Sequence, residues 1–162
     1  MTFHQDILRF QARTKDKMDR AVQAVVREIA TNVAKRTPVG TYDFIDEGWQ
    51  DEDYTPGALV ANWRVTTNFS TLMQEDSLGP TRDLAIARLE QEAKLAGAGS
   101  VVFIQNNSRY CEVLEFGLFP WRPATKRTVQ GFSTQAATGM ARTGFVDAVS
   151  RLGPILEVIG RT

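Results

Sequence analysis

Residues 18–38 have the sequence MDRAVQAVVREIATNVAKRTP, and this stretch decides the fold. Its apolar residues recur at spacings of three and four: Met18, Val22, Val25, Ile29 and Val33. That spacing places them on one face of an α-helix. No glycine or proline interrupts residues 3–37, and Pro38 disfavours helical backbone at the residue before it. The sequence therefore predicts one long amphipathic helix that ends before Pro38.

Four shorter elements are expected after this helix. Alternating residues predict a half-buried strand at Trp63–Thr67, and Val101–Ile104 is an apolar run typical of a buried strand. Thr81 is a candidate cap for a helix over about 82–96, and residues 109–116 are expected to form a helical turn. Leu84, Leu89 and Leu95 are the expected apolar members of the second helix.

A last helix is predicted from about Met140 onward. Phe145, Val149 and Leu152 are expected to line its apolar face. Gly153 and Pro154 follow, and a proline inside a helix removes a backbone hydrogen bond and clashes with the preceding turn. We therefore expect this helix to kink or split at that point.

The composition indicates one globular domain spanning residues 1–162. The chain has 19 basic and 19 acidic residues, so it lacks the basic excess of a dedicated nucleic-acid-binding protein. Zero net charge also removes the mutual repulsion that opposes self-association. The first residues do not resemble a signal peptide, and no run of about 18 apolar residues predicts a membrane span.

Few residues of the sequence suit catalysis. His4 is the single histidine, in a stretch where the chain end is expected to fray, and Cys111 is the single cysteine, expected to be a small buried apolar residue. Gly97-Ala98-Gly99-Ser100 follows a helix and precedes a strand, which is the reverse of a phosphate-binding loop. We therefore expect no enzyme activity, no cofactor and no metal.

Two long loops, predicted at 38–58 and 118–139, combine aromatic rings with charge of one sign. The first is acidic over residues 42–54, and the second is basic over residues 118–132. Tyrosine, tryptophan and arginine are common at the energetic centres of protein interfaces. The candidate contact residues are Tyr42, Phe44, Trp49, Tyr54, Phe119, Trp121, Arg122, Lys126 and Arg127. The alternatives are that these loops fold back on their own domain or that they reach neighbouring subunits.

Five short stretches of the sequence occur in a characteristic order along the chain. They are Thr37-Pro38-Val39-Gly40-Thr41, Gly57-Ala58-Leu59-Val60-Ala61-Asn62-Trp63-Arg64-Val65, Ile104-Gln105-Asn106-Asn107-Ser108-Arg109-Tyr110, Leu114-Glu115-Phe116-Gly117, and Ser133-Thr134-Gln135-Ala136-Ala137-Thr138-Gly139-Met140-Ala141-Arg142. Through most of its length the chain resembles the minor tail component family, the neck and tail-completion proteins of tailed phages. Residues 42–56 interrupt the first motif, and Ala137 stands where proline is usual.

The resemblance implies an α+β fold, in which a small antiparallel sheet packs against the long first helix and the last helix. It assigns structural roles to the motif residues. Pro38 ends the helix, Gly40 permits a turn, Trp63 packs the sheet on the long helix, Asn106 and Asn107 satisfy a turn, Gly117 tolerates left-handed backbone, and Gly139 releases the chain into the last helix. Tyr110, Glu115 and Gln135 belong to the same motifs.

The resemblance also implies a function. It predicts a ring, commonly six-fold, at the head–tail junction of the virion, assembled in the host cytoplasm. The implied partners are further copies of the chain, a head-side connector or stopper protein, and tail terminator, tube or sheath proteins. Packaged DNA passing through the ring is a further possible partner, and a DNA-binding or accessory assembly role is the alternative.

Overall fold

The long first helix organises the fold. The structure, a computed structural model, describes residues 2–39, 56–68, 81–118 and 128–161. Its elements in chain order are α1 (Phe3–Arg36), α2 (Ala58–Ala61), β1 (Trp63–Thr66), α3 (Arg82–Ala93), β2 (Phe103–Asn106), α4 (Tyr110–Phe116), β3 (Thr128–Val129), β4 (Phe132–Ser133) and α5 (Ala141–Arg161). The α+β prediction is confirmed, with a high helical content.

Both ends of α1 have clear local causes. At the start, the backbone N–H of Thr2 donates to the side-chain oxygen of Gln5 at 3.1 Å, which satisfies a donor at the helix cap. At the end, Thr37 leaves helical backbone with φ −70° and ψ 126°. Pro38 follows, so the predicted helix and its end are confirmed.

Two helices pack along the C-terminal half of α1, and both run antiparallel to it. On α5, Asp147 pairs with Arg36 and Arg151 with Glu28, while Lys17 donates to the carbonyl of Gly160. On α3, Arg82 donates to the Thr37 carbonyl at 2.9 Å. Beyond α3, Gln23 donates to the carbonyls of Lys94 and Ala96. The buried core therefore lies between these helices and includes Val26, Ala30, Val33, Leu89 and Met140.

The main sheet is one antiparallel pair. β1 lies beside β2, with Trp63 opposite Asn106 and Thr66 opposite Phe103. A two-stranded sheet is marginal alone, so its free edge needs cover. α3 supplies that cover, because the Val65 amide donates to Glu92 at 2.8 Å and Arg88 donates to the carbonyls of Ala61 and Trp63.

Several sequence predictions need correction. β2 begins two residues later than the predicted strand at Val101–Ile104, and Val101 is 68% exposed. Of the three leucines expected on the second helix, only Leu89 is buried, and α3 ends at Ala93, before Leu95. Leu84 and Leu95 are exposed, because the small residues Ala85 and Ala93 occupy the buried face, which lets α1 approach closely.

The long loops and the last helix also differ from expectation. The predicted loop at 118–139 contains the β3–β4 hairpin, and the predicted loop at 38–58 ends at α2, which no pattern had indicated. Helix α5 is not split at Gly153-Pro154 but continues to Arg161. Its buried face holds Gly144 and Ala148, not Phe145 and Val149. At this contact α1 contributes the larger side chains, so α5 packs against it with its small residues.

Candidate interaction surfaces

The predicted contact residues in the two charged loops lie outside the described residues. These are Tyr42, Phe44, Trp49, Tyr54, Phe119, Trp121, Arg122, Lys126 and Arg127, and Gly40 lies outside as well. Their role in subunit contacts therefore stays a prediction. The acid cluster within residues 43–53 is also outside.

Trp63 joins the sheet to the end of α1, as predicted. Its ring is 4% exposed, and its indole Nε1 donates to the hydroxyl of Thr37 at 2.8 Å. The same hydroxyl donates onward to the carbonyl of Val33 at 2.8 Å. This chain of two hydrogen bonds satisfies an indole N–H that would otherwise be buried without a partner.

The other motif residues mostly have visible structural roles. Gly117 and Gly139 have φ of 67° and 85°, in the left-handed region where a side chain is strained. Asn106 accepts from the Ser108 amide and donates to the Leu59 carbonyl. Tyr110 begins α4 and packs against the core. Asn107 and Gln135 are exposed, and the turn role predicted for Asn107 stays a prediction.

Glu115 holds α4 against the start of α5. Its buried carboxylate accepts from the amides of Met140 and Ala141 at 2.7 Å, and from the amide and guanidinium of Arg142. Burial alone would raise its pKa, but these donors outweigh burial and hold the pKa of Glu115 below its ordinary value. The carboxylate thus neutralises the positive end of the α5 dipole and fixes where the helix begins.

Cys111 and His4 lie in different surroundings within the described residues. Burial, followed by the charges of Glu115 and Glu112, raises the pKa of the Cys111 thiol to about 11, so it stays protonated and unreactive near neutral pH. His4 lies in the first turn of α1, which is helical where fraying was expected, and its side chain is exposed. Among the described residues no group of three or more His, Cys, Asp or Glu side chains could hold a metal.

One open cleft of about 910 Å³ lies at the junction of α1, α3 and the segment before α5. Its described lining contains Lys35, Arg36 and Arg82 but no His, Cys, Asp or Glu. Arg36 is paired with Asp147, and Arg82 donates to the Thr37 carbonyl. The cleft is basic, but this part of its lining supplies no general base.

The N-terminal half of α1 is an exposed helical arm. We define the arm as residues 3–16, and all fourteen are exposed. At 1.5 Å per residue the arm is about 21 Å long. Phe3 is 80% exposed, Ile7 40% and Phe10 70%, and Leu8 adds another exposed apolar side chain.

Three of these side chains, with Thr14, form one row along the arm. Their spacing of four, three and four places them on one helix face, and we call this row the arm stripe (Phe3, Ile7, Phe10, Thr14). Full burial of a Phe or Ile side chain stabilises a contact by about 1.5–3 kcal/mol. The arm stripe is therefore a strong candidate for contact with a protein partner.

Helix α5 carries a second exposed apolar row with the same spacing. Phe145, Val149 and Leu156 are 52%, 46% and 40% exposed, and half-buried Leu152 lies between them. We call this row the α5 stripe (Phe145, Val149, Leu152, Leu156). It lies beside the helix face that packs on α1, because Gly144 and Ala148 precede Phe145 and Val149 by one position each. The apolar surface of α5 is thus wider than the face that α1 covers.

The charged residues of α5 are occupied within the chain. Arg142 pairs with Glu115, Asp147 with Arg36 and Arg151 with Glu28. Glu157 and Arg161 pair with each other along the helix. Neither stripe contains an ionisable side chain, so a contact between them would desolvate no charge within the stripes.

Sequence reasoning missed both stripes as surfaces. The spacing of Phe3, Ile7 and Phe10 is a usable signal, but the apolar face predicted from the sequence begins at Met18. Phe145 and Val149 were assigned to the core because their spacing is the same whether a row faces a core or a partner. The tertiary structure decides between a core-facing and an exposed row: Gly144 and Ala148 pack against α1, which leaves Phe145 and Val149 exposed.

Comparisons with family models, curated proteins and solved structures find no match for the chain. None of the helices within the described ranges combines the length and apolar character that a membrane crossing requires.

Proposed function

We propose that this chain is a non-enzymatic structural protein of a tailed-phage virion, one copy in a ring at the head–tail junction. The exposed arm is the observation that supports assembly into a ring. The arm continues the packed part of α1, and it presents Phe3, Ile7 and Phe10 to solvent. Such a helix gains most from a partner that covers its apolar row.

The phage setting rests on the ordered sequence motifs. Several motif residues link or shape elements of the fold: Trp63 joins the sheet to α1, Glu115 joins α4 to α5, and Gly117 and Gly139 occupy left-handed backbone. These roles position the helices and perform no chemistry. The proposed partners are other copies, a head-side connector or stopper protein, and tail terminator, tube or sheath proteins. Six copies is the expected ring size.

Purified full-length protein tests the ring directly. Negative-stain electron microscopy and native mass spectrometry should show closed rings of one copy number at micromolar protein, alone or with isolated tails or connector-bearing heads. The rings should restore joining of heads and tails purified from the phage with this gene deleted. Protein that stays monomeric under all these conditions, and does not restore joining, would contradict the proposal.

DNA binding is the second candidate, because Lys35, Arg36 and Arg82 line the same cleft. Two of these cations already have partners within the chain, and the net charge is zero. A DNA-binding role predicts duplex binding that falls steeply between about 50 and 200 mM salt. Binding that is weak and independent of salt would remove this candidate.

A further inference from the structure

The two exposed apolar stripes match each other in spacing and in length. Each spans twelve residues with steps of four, three and four, which is about 16 Å of helix from the first to the last. In antiparallel order, Phe3 aligns with Leu156, Ile7 with Leu152, Phe10 with Val149 and Thr14 with Phe145. A helix that binds either stripe needs apolar side chains at these intervals.

The arm stripe continues the face of α1 that already receives α5. Lys17 and Glu28 reach Gly160 and Arg151 of α5 within the chain. Phe10 lies seven residues before Lys17, and residues seven or eleven apart on a helix differ by only about 20° in direction. The arm therefore presents to solvent the face that accepts α5 farther along the same helix.

We infer that the arm stripe of one copy packs antiparallel on the α5 stripe of the next copy. This inference rests on the proposed ring and names its contact. Antiparallel order places the positive N-terminal end of the arm beside the negative C-terminal end of α5. Pairing between two arms would leave the α5 stripe exposed, whereas the inferred contact covers both stripes.

Different surfaces meet in this contact, so it is a head-to-tail interface. Each copy uses its arm on one neighbour and its α5 on the other. An interface of this type closes into a ring when the rotation between copies allows it, and otherwise gives a filament. Each copy therefore takes part in two such contacts, one through its arm and one through α5.

Disulfide trapping distinguishes contact between copies from contact within one. Val149 lies between Asp147 and Arg151, which pair with Arg36 and Glu28. Phe10 is at least 18 residues from that part of α1, or about 27 Å along the helix. A disulfide needs Cα atoms within about 7 Å, so Phe10→Cys and Val149→Cys can join only between copies.

The experiment mixes two full-length variants in a Cys111→Ala background. One carries Phe10→Cys and the other Val149→Cys, and oxidation is carried out at concentrations where rings are present. The control replaces Phe10→Cys by Ala12→Cys, which is exposed on the opposite face of the same arm. Proximity should raise the yield of the mixed disulfide by about tenfold or more over the control.

A second measurement is photocrosslinking, in which position 10 keeps an aromatic side chain. Benzoylphenylalanine at position 10 should photocrosslink to residues 145–156 of another copy. Rings of the wild-type chain without either crosslink would overturn the inferred contact and leave the proposed ring intact. Disulfides between Phe10→Cys chains alone would overturn it in favour of paired arms. Wild-type protein that forms no ring with any partner would remove the proposed function and this contact together.

Discussion

The two halves of α1 have similar periodicity but opposite surroundings. Residues 22–36 pack between α3 and α5, and Ala30, Val33 and Ala34 there are at most 3% exposed. The arm, residues 3–16, repeats apolar residues at helical spacing but is exposed throughout. A regular apolar row therefore shows that a helix face needs a partner, and only the tertiary structure shows whether that partner belongs to the same chain.

The largest effect is expected where α5 touches the packed half of α1. A Cβ at Gly144 would lie 2.8 Å from the backbone of Val33, so Gly144→Ala must push the helices apart. We expect it to lower the free energy of unfolding by about 2–3 kcal/mol in urea denaturation.

Gly160→Ala is the matched control for that change. It lies on the same helix, and outside its own helix backbone and chain neighbours a new Cβ there would meet no atom within 4 Å, so it should change the free energy of unfolding by less than about 0.5 kcal/mol. Equal effects of the two substitutions would contradict the described α1–α5 contact.

Glu115→Gln is expected to cost about 2 kcal/mol at pH 7, because it weakens charge-assisted hydrogen bonds to the first turn of α5. The folded-state pKa of Glu115 is lowered, so its charge stabilises the protein fully above the unfolded pKa near 4.5. That contribution is lost as pH falls through the folded pKa. The wild-type advantage over Glu115→Gln should therefore shrink below pH 4.5 in denaturation curves.

Glu112→Gln is the control on the same short helix, since Glu112 is exposed. It should change stability by less than about 0.5 kcal/mol at pH 7. A Glu115 effect that is the same at pH 3 and pH 7 would show that the carboxylate charge does not fix the start of α5.

Truncating a side chain should lower monomer stability in the packed half of α1 and should weaken assembly in the arm. Val33→Ala removes a buried side chain and should destabilise the monomer by about 2 kcal/mol. Phe10→Ala should change monomer stability by less than about 0.5 kcal/mol at dilute concentration, yet raise the protein concentration needed for assembly. Thermal unfolding and mass photometry measure the two effects. Loss of monomer stability with Phe10→Ala would mean that the arm packs within its own chain.

Among the buried residues, the smallest loss of stability is expected at Thr37, directly after α1. Thr37→Val removes the acceptor for the Trp63 indole and should cost about 1 kcal/mol. Thr37→Ser keeps the hydroxyl and should cost clearly less. Denaturation of both variants measures the difference, and a cost of Thr37→Val no larger than that of Thr37→Ser would contradict a stabilising role for the hydroxyl.

The secondary-structure elements were easier to predict from the sequence than the tertiary contacts that each element makes. Pro38 and the absence of glycine and proline fixed the long helix, and alternating residues located β1, because these signals are local. The motifs include Trp63 and Glu115, which lie where β1 meets the end of α1 and where α4 meets the start of α5. The exposure of Phe145 and Val149 was not predictable, since it depends on Gly144 and Ala148 meeting α1 more than a hundred residues away. The predicted contact residues of the two charged loops lie outside the described residues and stay untested.

Hydrogen–deuterium exchange at a series of protein concentrations tests most directly whether the arm is an assembly surface. In dilute monomer, amides of residues 3–16 should exchange fast while those of residues 22–36 are protected, because only the second set is held by tertiary packing. In the assembled fraction the arm should become protected together with residues 145–156, and residues 22–36 should not change. An arm that is equally protected at every concentration, or that stays unprotected in assembled protein, would contradict the account.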